Sequence, residues 1–483
     1  MKKVIPQLLC LFMSHILASQ TFTKNTIDND TGNGPYVIAS GHLDNDLFLD
    51  IAIGTEGSSE VKWYKNNGDG TFNPAISLIA NAPHNLINIY GLAIADINGD
   101  NANDIVATSF TNDNLVWFQN NGNGTFQNAV TLLNNIDSAG AIKIANIDND
   151  PNNNLDIIVS VYGYDGDTDS LLYLLGNGDG TFSSIKYIIP ETAGLGTGEF
   201  DVADFDNDGD LDIVVSFVDI GTVEVYDNRL IQDGLDANGN IPFIKYDNTV
   251  SSGNGYIFDI FFADINDDNI LDIIKTDNNP TGGNSGVVWY EKSTNSTAAT
   301  FTAHQITTTI QRSGVAAVAD LNNDNFNDLV ITNGRASDND LVWFESDVTG
   351  NLGSETLISD SQPSGFDLNI NDFDNDTDLD IVSISYLSND LNIFINETYT
   401  LNSQSVEFQN KSLSIYPNPA KNVLHIKTNL SNIGVATVYN ILGKKVLNTH
   451  LSENKSIDIS KLSHGIYILK FSNSDKAFKF IKE

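Results

Sequence analysis

Short runs of aliphatic and β-branched residues recur along most of this chain, and clusters of Gly, Asn and Asp separate them. In one stretch, a run at residues 92–97 leads into an acidic loop, a second covers 105–110 and a third covers 115–118. A fourth run follows the turn that ends at Phe126. Apolar runs of this length between turn residues indicate antiparallel β-strands. The pattern therefore predicts four strands in each unit of the chain.

An acidic loop, mostly of nine residues, gives the chain its period. Its last residue is always Asp, and successive copies end 52 to 60 residues apart, at Asp50, Asp104, Asp156, Asp212, Asp272, Asp328 and Asp380. A regular period that contains several short strands is typical of one module stacked many times. The sequence thus predicts an all-β fold, a seven-bladed β-propeller, in which each loop joins the first and second strands of a blade.

The seventh unit ends near Phe394 without a fourth strand. At the other end of the propeller segment, residues 21–27 (TFTKNTI) resemble residues 300–306 (TFTAHQI), which stand at the fourth-strand position of the fifth unit. A ring of sheets must close if it is to leave no unpaired edge. We therefore predict that residues 21–27 complete the last sheet.

Oxygen-bearing side chains stand at the first, third, fifth and ninth places of the loop, and a turn-permitting residue stands sixth. This spacing suits a hard cation with several oxygen ligands at about 2.3–2.6 Å, and calcium fits best. Two copies carry four Asp residues: Asp204, Asp206, Asp208 and Asp212, and Asp372, Asp374, Asp376 and Asp380. Three copies exchange one carboxylate for an amide oxygen: Asp96, Asn98, Asp100 and Asp104; Asp264, Asn266, Asp268 and Asp272; and Asp320, Asn322, Asp324 and Asp328.

The first and third copies depart from this pattern, and we expect both sites to be weak or empty. In the first, His42 replaces an Asp ahead of Asp44, Asp46 and Asp50, and imidazole is a poor calcium ligand. In the third, Pro151 and two extra residues separate the set Asn146, Asp148 and Asp150 from Asp156. The sequence thus predicts several calcium ions, up to one per blade. Asx-turns that only tighten a hairpin remain the alternative interpretation of every copy.

The four tryptophans occupy one recurring place in the third strand, at Trp63, Trp117, Trp289 and Trp343. An aromatic residue repeated on several blades is more typical of packing between sheets than of a ligand platform. We therefore predict no site there.

These units resemble the FG-GAP/VCBS repeats of integrin-like β-propellers over about residues 21–399. The resemblance implies calcium ions that brace the loops between first and second strands. It leaves function open, because such propellers include adhesion proteins, sugar-binding proteins and scaffolds around enzyme domains.

The N-terminal segment is typical of a secretory signal peptide, which we place at residues 1–20. Lys2 and Lys3 precede a mostly apolar run from 4 to 17 and the small residues 18 and 19. The single cysteine, Cys10, lies inside this segment, so we expect no disulfide in the mature chain. Nothing else in the sequence predicts a transmembrane segment.

A linker at residues 399–410 separates the propeller, at 21–398, from a tail at 411–483. The formal charge changes there from −47 for residues 21–402 to +6 for residues 403–483. The tail contains IYPNP at 415–419, VYNILGKK at 438–445 and IDISKLSHGIYILK at 457–470. It resembles the type A sorting domain of type IX secretion. The resemblance implies a small C-terminal β-sandwich, the type IX machinery as a partner, usual removal during export, and a secreted or outer-membrane surface location.

The charge also narrows the function. A propeller with a net charge of −47 would repel nucleic acid, whose phosphates require a basic surface. No Ser/His/Asp group, cysteine nucleophile, zinc motif or phosphate-binding loop stands out, so we expect no enzyme. We predict a glycan- or protein-binding module, with the ligand on the face opposite the acidic loops, near His84, Tyr162, Tyr164, Arg312, Arg335 and Tyr386. A polysaccharide-active enzyme that uses a carboxylate pair is the alternative.

Overall fold

The structure is a computed structural model, and it describes residues 20–57, 60–79, 85–163, 168–246, 250–252, 256–277, 286–294, 300–306, 310, 313–334, 341–347, 350–397, 413–416, 419–428, 435–440, 444–450, 455–471 and 474–482. The predicted linker and all but Gln20 of the predicted signal peptide lie outside this part. The chain divides into two compact units, residues 1–399 and residues 400–483.

The described part of the first unit contains seven antiparallel sheets, six of four strands and one of five. The chain enters the unit through β1 (Phe22–Asp28). Sheet 1 consists of β2 (Pro35–Gly41), β3 (Asp50–Thr55), β4 (Glu60–Tyr64) and β5 (Ile76–Ile79). Sheet 2 consists of β6 (Leu92–Ala95), β7 (Asp104–Ser109), β8 (Asn114–Phe118) and β9 (Val130–Asn134). Sheet 3 consists of β10 (Ala139–Ala145), β11 (Asp156–Val161), β12 (Thr168–Leu174) and β13 (Lys186–Ala193).

The remaining sheets of the unit follow the same order along the chain. Sheet 4 consists of β14 (Thr197–Ala203), β15 (Asp212–Phe217), β16 (Thr222–Asn228), β17 (Phe243–Lys245) and β18 (Ser251–Ser252), with the short helix α1 (Leu230–Asp233) after β16. Sheet 5 consists of β19 (Ile257–Ala263), β20 (Asp272–Asp277), β21 (Val288–Lys292) and β22 (Phe301–Gln305). Sheet 6 consists of β23 (Ser313–Ala319), β24 (Asp328–Asn333), β25 (Leu341–Ser346) and β26 (Leu352–Ser359). Sheet 7 consists of β27 (Gly365–Asn371), β28 (Asp380–Ser385), β29 (Asp390–Asn396) and β1.

The first strands of successive sheets lie against one another in the order β2, β6, β10, β14, β19, β23 and β27, and β27 lies against β2. The sheets therefore form a closed ring around a central channel. This arrangement confirms the predicted all-β propeller fold. The pairing of β1 with β29, from Phe22 opposite Asn396 to Asp28 opposite Leu391, also confirms that the N-terminal strand completes the last sheet.

The core of the ring lies between neighbouring sheets. Every residue of β3, β7, β11, β15, β24 and β28 is buried, because the second strand of a sheet is covered on both faces. Trp63 of sheet 1 packs edge to face on Phe126 of sheet 2, with ring centroids 6.0 Å apart. Trp343 of sheet 6 makes the same kind of contact with Phe22 of sheet 7. These contacts confirm the predicted packing role for both tryptophans.

The second unit contains two sheets in its described part. One holds β30 (Leu413–Tyr416), β31 (Val423–Thr428) and β34 (Ser456–Asp458). The other holds β32 (Ala436–Asn440), β33 (Lys445–Thr449), β35 (Gly465–Phe471) and β36 (Ser474–Lys482). Leu424 and Ile426 from the first sheet share one core with Val438, Leu469 and Phe480 from the second, as in a small β-sandwich. In the part of the chain that the structure describes, no helix is long and apolar enough to cross a membrane.

Candidate metal centres

Each acidic loop joins the first and second strands of its sheet, and we number the loops by their sheets. They are loop 1 (42–50), loop 2 (96–104), loop 3 (146–156), loop 4 (204–212), loop 5 (264–272), loop 6 (320–328) and loop 7 (372–380). The end of the first strand and the start of the second strand therefore flank each loop. The end of the third strand lies beside the same loop.

The last Asp of each loop holds the backbone in place. Asp212 is buried, and its two oxygens accept hydrogen bonds from the backbone N–H groups of Phe205 (3.0 Å) and Asn228 (2.9 Å). Asp380 does the same with Phe373 and Asn396. All seven of these aspartates are buried, and each accepts a backbone N–H from the end of the third strand of its sheet. The burial and these bonds explain why the last position is always Asp.

The middle of the loop winds through left-handed backbone. In loop 4, Asn207 and Gly209 have φ of 65° and 97°, and the corresponding residues of loops 2, 5, 6 and 7 also have positive φ. Asn, Asp and Gly tolerate this region best, which accounts for their recurrence. Loop 7 instead holds the β-branched Thr377 there at φ 89°, so its backbone is strained. The first Asp of these loops also accepts backbone N–H bonds, as Asp204 does from Asp208 and Gly209. The predicted Asx-turns are therefore present.

Loops 4 and 7 additionally gather carboxylates. In each of four groups, three carboxylates offer oxygens that all lie within 4.8 Å of one another: Asp204, Asp206 and Asp212; Asp206, Asp208 and Asp227; Asp372, Asp374 and Asp380; and Asp374, Asp376 and Asp378. Oxygens bound to one ion at 2.3–2.6 Å lie at most about 5 Å apart, so this spacing fits a shared divalent cation. Each loop therefore offers two overlapping groups, which share Asp206 or Asp374.

Several of these oxygens are buried and have no hydrogen-bond partner among the described residues, namely Asp206 Oδ1, Asp374 Oδ1, Asp227 Oδ1 and both carboxylate oxygens of Asp378. A buried polar group without a partner is costly, and a buried charge more so. A cation coordinated by these oxygens would satisfy them, so the residues present fit a divalent metal ion. Asx-turns alone would not account for these unpartnered carboxylate oxygens.

Burial and mutual repulsion also disturb the protonation of these groups. Burial, together with the nearby carboxylates of Asp206 and Asp374, raises the pKa of Asp212 to about 8 and that of Asp380 to about 7. The pKa values of Asp206, Asp374 and Asp378 are raised by burial first and then by neighbouring aspartates. A nearby divalent charge would reverse this effect, because it favours the ionised carboxylate.

Loops 2, 5 and 6 are arranged differently. The amide of the third-position Asn donates to the fifth-position Asp, from Asn98 to Asp100 (3.0 Å), from Asn266 to Asp268 (3.3 Å) and from Asn322 to Asp324 (3.2 Å). Within the described ranges, three carboxylates do not converge in any of these loops. The predicted ligands therefore lie close together in these loops. The third-position amide, however, points its N–H group at the fifth-position carboxylate, where a metal ligand would offer its oxygen.

In loop 1, a lysine ammonium lies between the predicted ligands. Lys65 Nζ contacts Asp44 and lies 2.8 Å from Asp46, while Asp50 accepts backbone N–H bonds. His42 Nδ1 is 3.0 Å from the backbone oxygen of Phe48, so the imidazole ring forms a hydrogen bond within the loop.

Hydrogen bonds between residues of loop 3 hold that loop together. Asn146 donates to the backbone oxygen of Asp150 (3.0 Å), and Asp148 and Asn146 both accept the Asp150 N–H. Asp156 accepts the Ile147 and Gly176 N–H groups. The structure thus holds the predicted residues of loops 1 and 3 together by hydrogen bonds and, in loop 1, by an ion pair.

Sequence reasoning missed four residues at or beside the loops. Asp378 and Asp210 occupy the seventh place of their loops, which the spacing argument passed over. Asp227 lies near the end of β16, the third strand of sheet 4, and Lys65 directly follows β4, the third strand of sheet 1, where no loop motif marks them. A comparison of repeats could have found Asp227 and Lys65. Each directly precedes the residue whose backbone N–H donates to the last Asp of the loop.

Of the predicted binding-face residues, His84, Tyr164, Arg312 and Arg335 lie outside the described residues. Tyr162 donates its hydroxyl to Asp219 (3.1 Å), and Tyr386 donates to Glu56. Two of the predicted residues are thus placed at one face of the ring, each bonded to a carboxylate.

Two parts of the chain match models of known protein families. Residues 42–107 and 151–215 match the FG-GAP-like repeat, and residues 414–483 match the secretion system C-terminal sorting domain. The chain therefore carries FG-GAP-like repeats followed by a type IX sorting domain, as predicted. Such a domain directs a protein to the cell surface or the extracellular space, which confirms the predicted location.

Individual relatives are more distant. The chain is 27% identical over 217 residues to cartilage acidic protein 1 of Xenopus tropicalis, a match that covers 43% of this chain and 31% of the relative. An Agrocybe aegerita lectin, solved for its recognition of non-reducing terminal N-acetylglucosamine, superposes with a TM-score of 0.47 and 21% identity over 68% of this chain and 81% of its own. A catalytically inactive virginiamycin B lyase from Staphylococcus aureus with quinupristin superposes with a TM-score of 0.48 and 13% identity over 78% and 99%.

Proposed function

We propose that this secreted β-propeller protein binds calcium at its acidic loops and acts as an adhesion module for a glycan or protein ligand. The convergence of carboxylates in loops 4 and 7 supports the calcium part most strongly. Carboxylate oxygens are hard ligands that suit calcium, and the chain offers no thiolate in the mature part. The candidate ligands of loops 2, 5 and 6 would be less charged, and Lys65 would compete at loop 1.

Calcium in this arrangement would hold the fold and would not take part in chemistry. The candidate ions would lie at the loops between the first and second strands, next to buried aspartates that fix the backbone. Extracellular calcium modules with dissociation constants of about 0.1–1 mM gain roughly 0.4–1.4 kcal/mol per site at millimolar calcium. Several sites together would matter to a domain of ordinary stability.

Thermal unfolding in chelator and in millimolar calcium tests this proposal. We expect calcium to raise the midpoint by several degrees and millimolar magnesium to raise it much less, because the smaller ion demands stricter geometry. The variant Asp206→Asn should lose part of the shift, whereas Asp69→Asn in an exposed turn should keep it. A midpoint that calcium leaves unchanged would rule out the metal sites.

The binding part of the proposal concerns the ligand. A glycan array probed with the purified protein, with and without calcium, tests it against a panel that includes acidic polysaccharides. Selective binding that calcium strengthens would support an adhesion module. Turnover of an acidic polysaccharide, read as new reducing ends, would instead favour the polysaccharide-active enzyme.

Removal of the tail during export is also a proposal, and it rests on the sorting domain. Mass spectrometry of the protein from its native host should show a mature chain that ends near the linker at 399–410. A reporter fused to residues 411–483 should reach the cell surface or the medium. Mature extracellular protein that retains residues 414–483 would contradict removal.

A further inference from the structure

The central channel of the ring contains two adjoining cavities. The inner one has a volume of about 410 Å³ and is lined mainly by the first strands of the sheets. The outer one, of about 390 Å³, opens toward the loops that join second and third strands. Tyr36, Tyr90, Glu199 and Phe258 line both cavities. Volumes of this size accommodate small organic ligands.

Acidic groups dominate the charge of the channel. Asp259 accepts the backbone N–H of Ala316 (3.1 Å), and Asp367 accepts that of Ile38 (2.8 Å), so each is tied to the next sheet of the ring. Among the described residues that line the inner cavity, Lys143 carries a positive charge, and it pairs with Asp201 at 2.9 Å.

Glu199 is different from these carboxylates. Its side chain lines both cavities and is half-buried, and no side-chain hydrogen bond or ion pair within 4 Å involves it among the described residues. Burial, followed by the charge of Asp259, raises the pKa of Glu199 to about 8, while the charge of Lys143 lowers it and that of Asp367 raises it. A carboxylate at the boundary of two cavities, without a hydrogen bond among the described residues, suits a ligand with a cationic group.

Aromatic rings form a continuous wall along the outer cavity. Tyr36 stacks on Tyr90 with centroids 4.0 Å apart, Tyr90 contacts Phe110 at 4.7 Å, and Phe110 contacts Tyr162 at 6.1 Å. Tyr36 also contacts Phe366, which lines the inner cavity, at 4.9 Å, and Phe366 contacts Phe258. Ring faces attract organic cations, and most strongly where water is excluded.

We propose that this channel binds a small organic ammonium ion, whose cationic head lies against Glu199 while the aromatic wall surrounds its alkyl groups. The excess of carboxylates disfavours anionic ligands. A bare metal ion fits less well, because no three carboxylates of the described channel lining converge on one point. An alkylated ammonium group uses both features at once, the negative charge and the aromatic surface.

Calorimetric titration of the purified protein with choline tests the proposal, and the neutral isostere 3,3-dimethyl-1-butanol serves as the matched ligand. We expect choline to bind at least about ten-fold more tightly than the isostere at constant ionic strength, because only choline carries the charge. Choline affinity should rise between pH 6 and pH 9 as Glu199 ionises, since choline itself does not titrate in that range.

Two variants assign the effect to the channel. Glu199→Gln should weaken choline binding by about ten-fold and flatten its pH dependence, and Phe258→Leu should weaken it without removing the pH dependence. Glu191→Gln, which changes an exposed carboxylate on the outer strand β13, should leave binding unchanged. Equal affinity for choline and its isostere, undetectable choline binding, or unaltered binding by Glu199→Gln would each overturn the proposal. Because the measurement does not depend on calcium, it stands or falls separately from the metal sites.

Discussion

At the scale of single residues, one position at the end of the third strand changes the charge beside an acidic loop. Lys65 and Asp227 occupy equivalent places, each directly before the residue whose N–H bonds the last Asp of the loop. Lys65 places its ammonium between Asp44 and Asp46, whereas Asp227 adds a further carboxylate to Asp206 and Asp208. Two repeats with the same backbone thus place opposite charges at this position: an ammonium beside loop 1, and beside loop 4 a carboxylate that also pairs with Arg229 at 3.5 Å.

Replacing Lys65 by Gln should convert the first loop toward a metal site. Without its ammonium, Asp44 and Asp46 would repel each other, so the metal-free protein should lose on the order of 1 kcal/mol of unfolding free energy, as expected for a pair that is about one third exposed. Equilibrium dialysis should then show one more bound calcium per chain than in the unaltered protein. Lys62→Gln, in the same strand but outside the loop, should change neither quantity. Unchanged calcium stoichiometry in Lys65→Gln would contradict the idea.

Asp378 and Asp210 give a second test, because they share the seventh loop position but differ in their contacts. Both oxygens of Asp378 are buried and have no hydrogen-bond partner in the part of the chain that the structure describes, whereas those of Asp210 accept the Asn149 amide (2.6 Å) and the Ile231 N–H (2.7 Å). In chelator, Asp378→Asn should raise the unfolding midpoint, because it removes a repelling charge. Addition of calcium should raise the unfolding midpoint of this variant by less than it raises that of the parent protein. Asp210→Asn should be destabilised in both conditions, and equal behaviour of the two variants would contradict the distinction.

The sequence predicted the sites only as far as local spacing reaches. The first, third, fifth and ninth places of loop 4 were found because they lie on one short segment. Asp227, Lys65 and Glu199 were missed, because their relation to the loops and the channel is set by strand pairing and by closure of the ring. The seventh place was missed for a different reason, since Asp378 and Asp210 look alike in sequence and differ only in their surroundings.

At the scale of secondary-structure elements, the pairing of β1 with β29 removes the free edge of sheet 7. The likeness of residues 21–27 to a fourth strand was enough to predict this pairing, because a sheet with three strands leaves one row of backbone groups open. The register was not predictable, since it includes an irregularity between Thr26 and Asp28. The side chain of Thr26 also donates to Asn392 across the pair (2.8 Å).

Deleting residues 21–28 should therefore weaken the ring. The loss of β1 uncovers β29 and removes Phe22 from its contact with Trp343, so we expect unfolding free energy to fall by at least about 2 kcal/mol and dimers or larger species to appear. Chemical unfolding and size-exclusion chromatography measure both effects. The milder change Phe22→Ala should lower stability while leaving the protein monomeric. A truncated protein that stays monomeric with full stability would show that β1 does not close the ring.

At the scale of the whole molecule, the protein concentrates negative charge inside its fold as well as on its surface. The net charge is −39, and several buried carboxylates have pKa values far above those of free side chains, with Asp212 and Glu199 at about 8 and Asp328 and Asp367 at about 7. Burial is the first cause in each case. The metal-free fold therefore holds charges that the unfolded chain would carry at lower cost.

This charge predicts that the metal-free protein loses stability as pH rises. Between about pH 4 and pH 8 the folded state binds more protons than the unfolded state, so the unfolding free energy falls with increasing pH. We expect urea unfolding to give a lower free energy at pH 8.0 than at pH 5.5, and saturating calcium to reduce the difference. The carboxyls with lowered pKa values, such as those of Asp46 and Asp236, are ionised throughout this range in both states and do not oppose the trend. A metal-free protein that is more stable at pH 8.0 would contradict it.

The closure of the ring also sets an order in time. Thr26 and Asn392, which meet across the closing seam, lie 366 residues apart in the chain. At a synthesis rate of about 5–20 residues per second, β1 waits roughly 20 to 70 s before its partner strand exists. The first strand of the propeller to be synthesised is thus the last to be paired. Until β29 has been synthesised, β1 has no partner strand and its backbone hydrogen-bonding groups stay exposed.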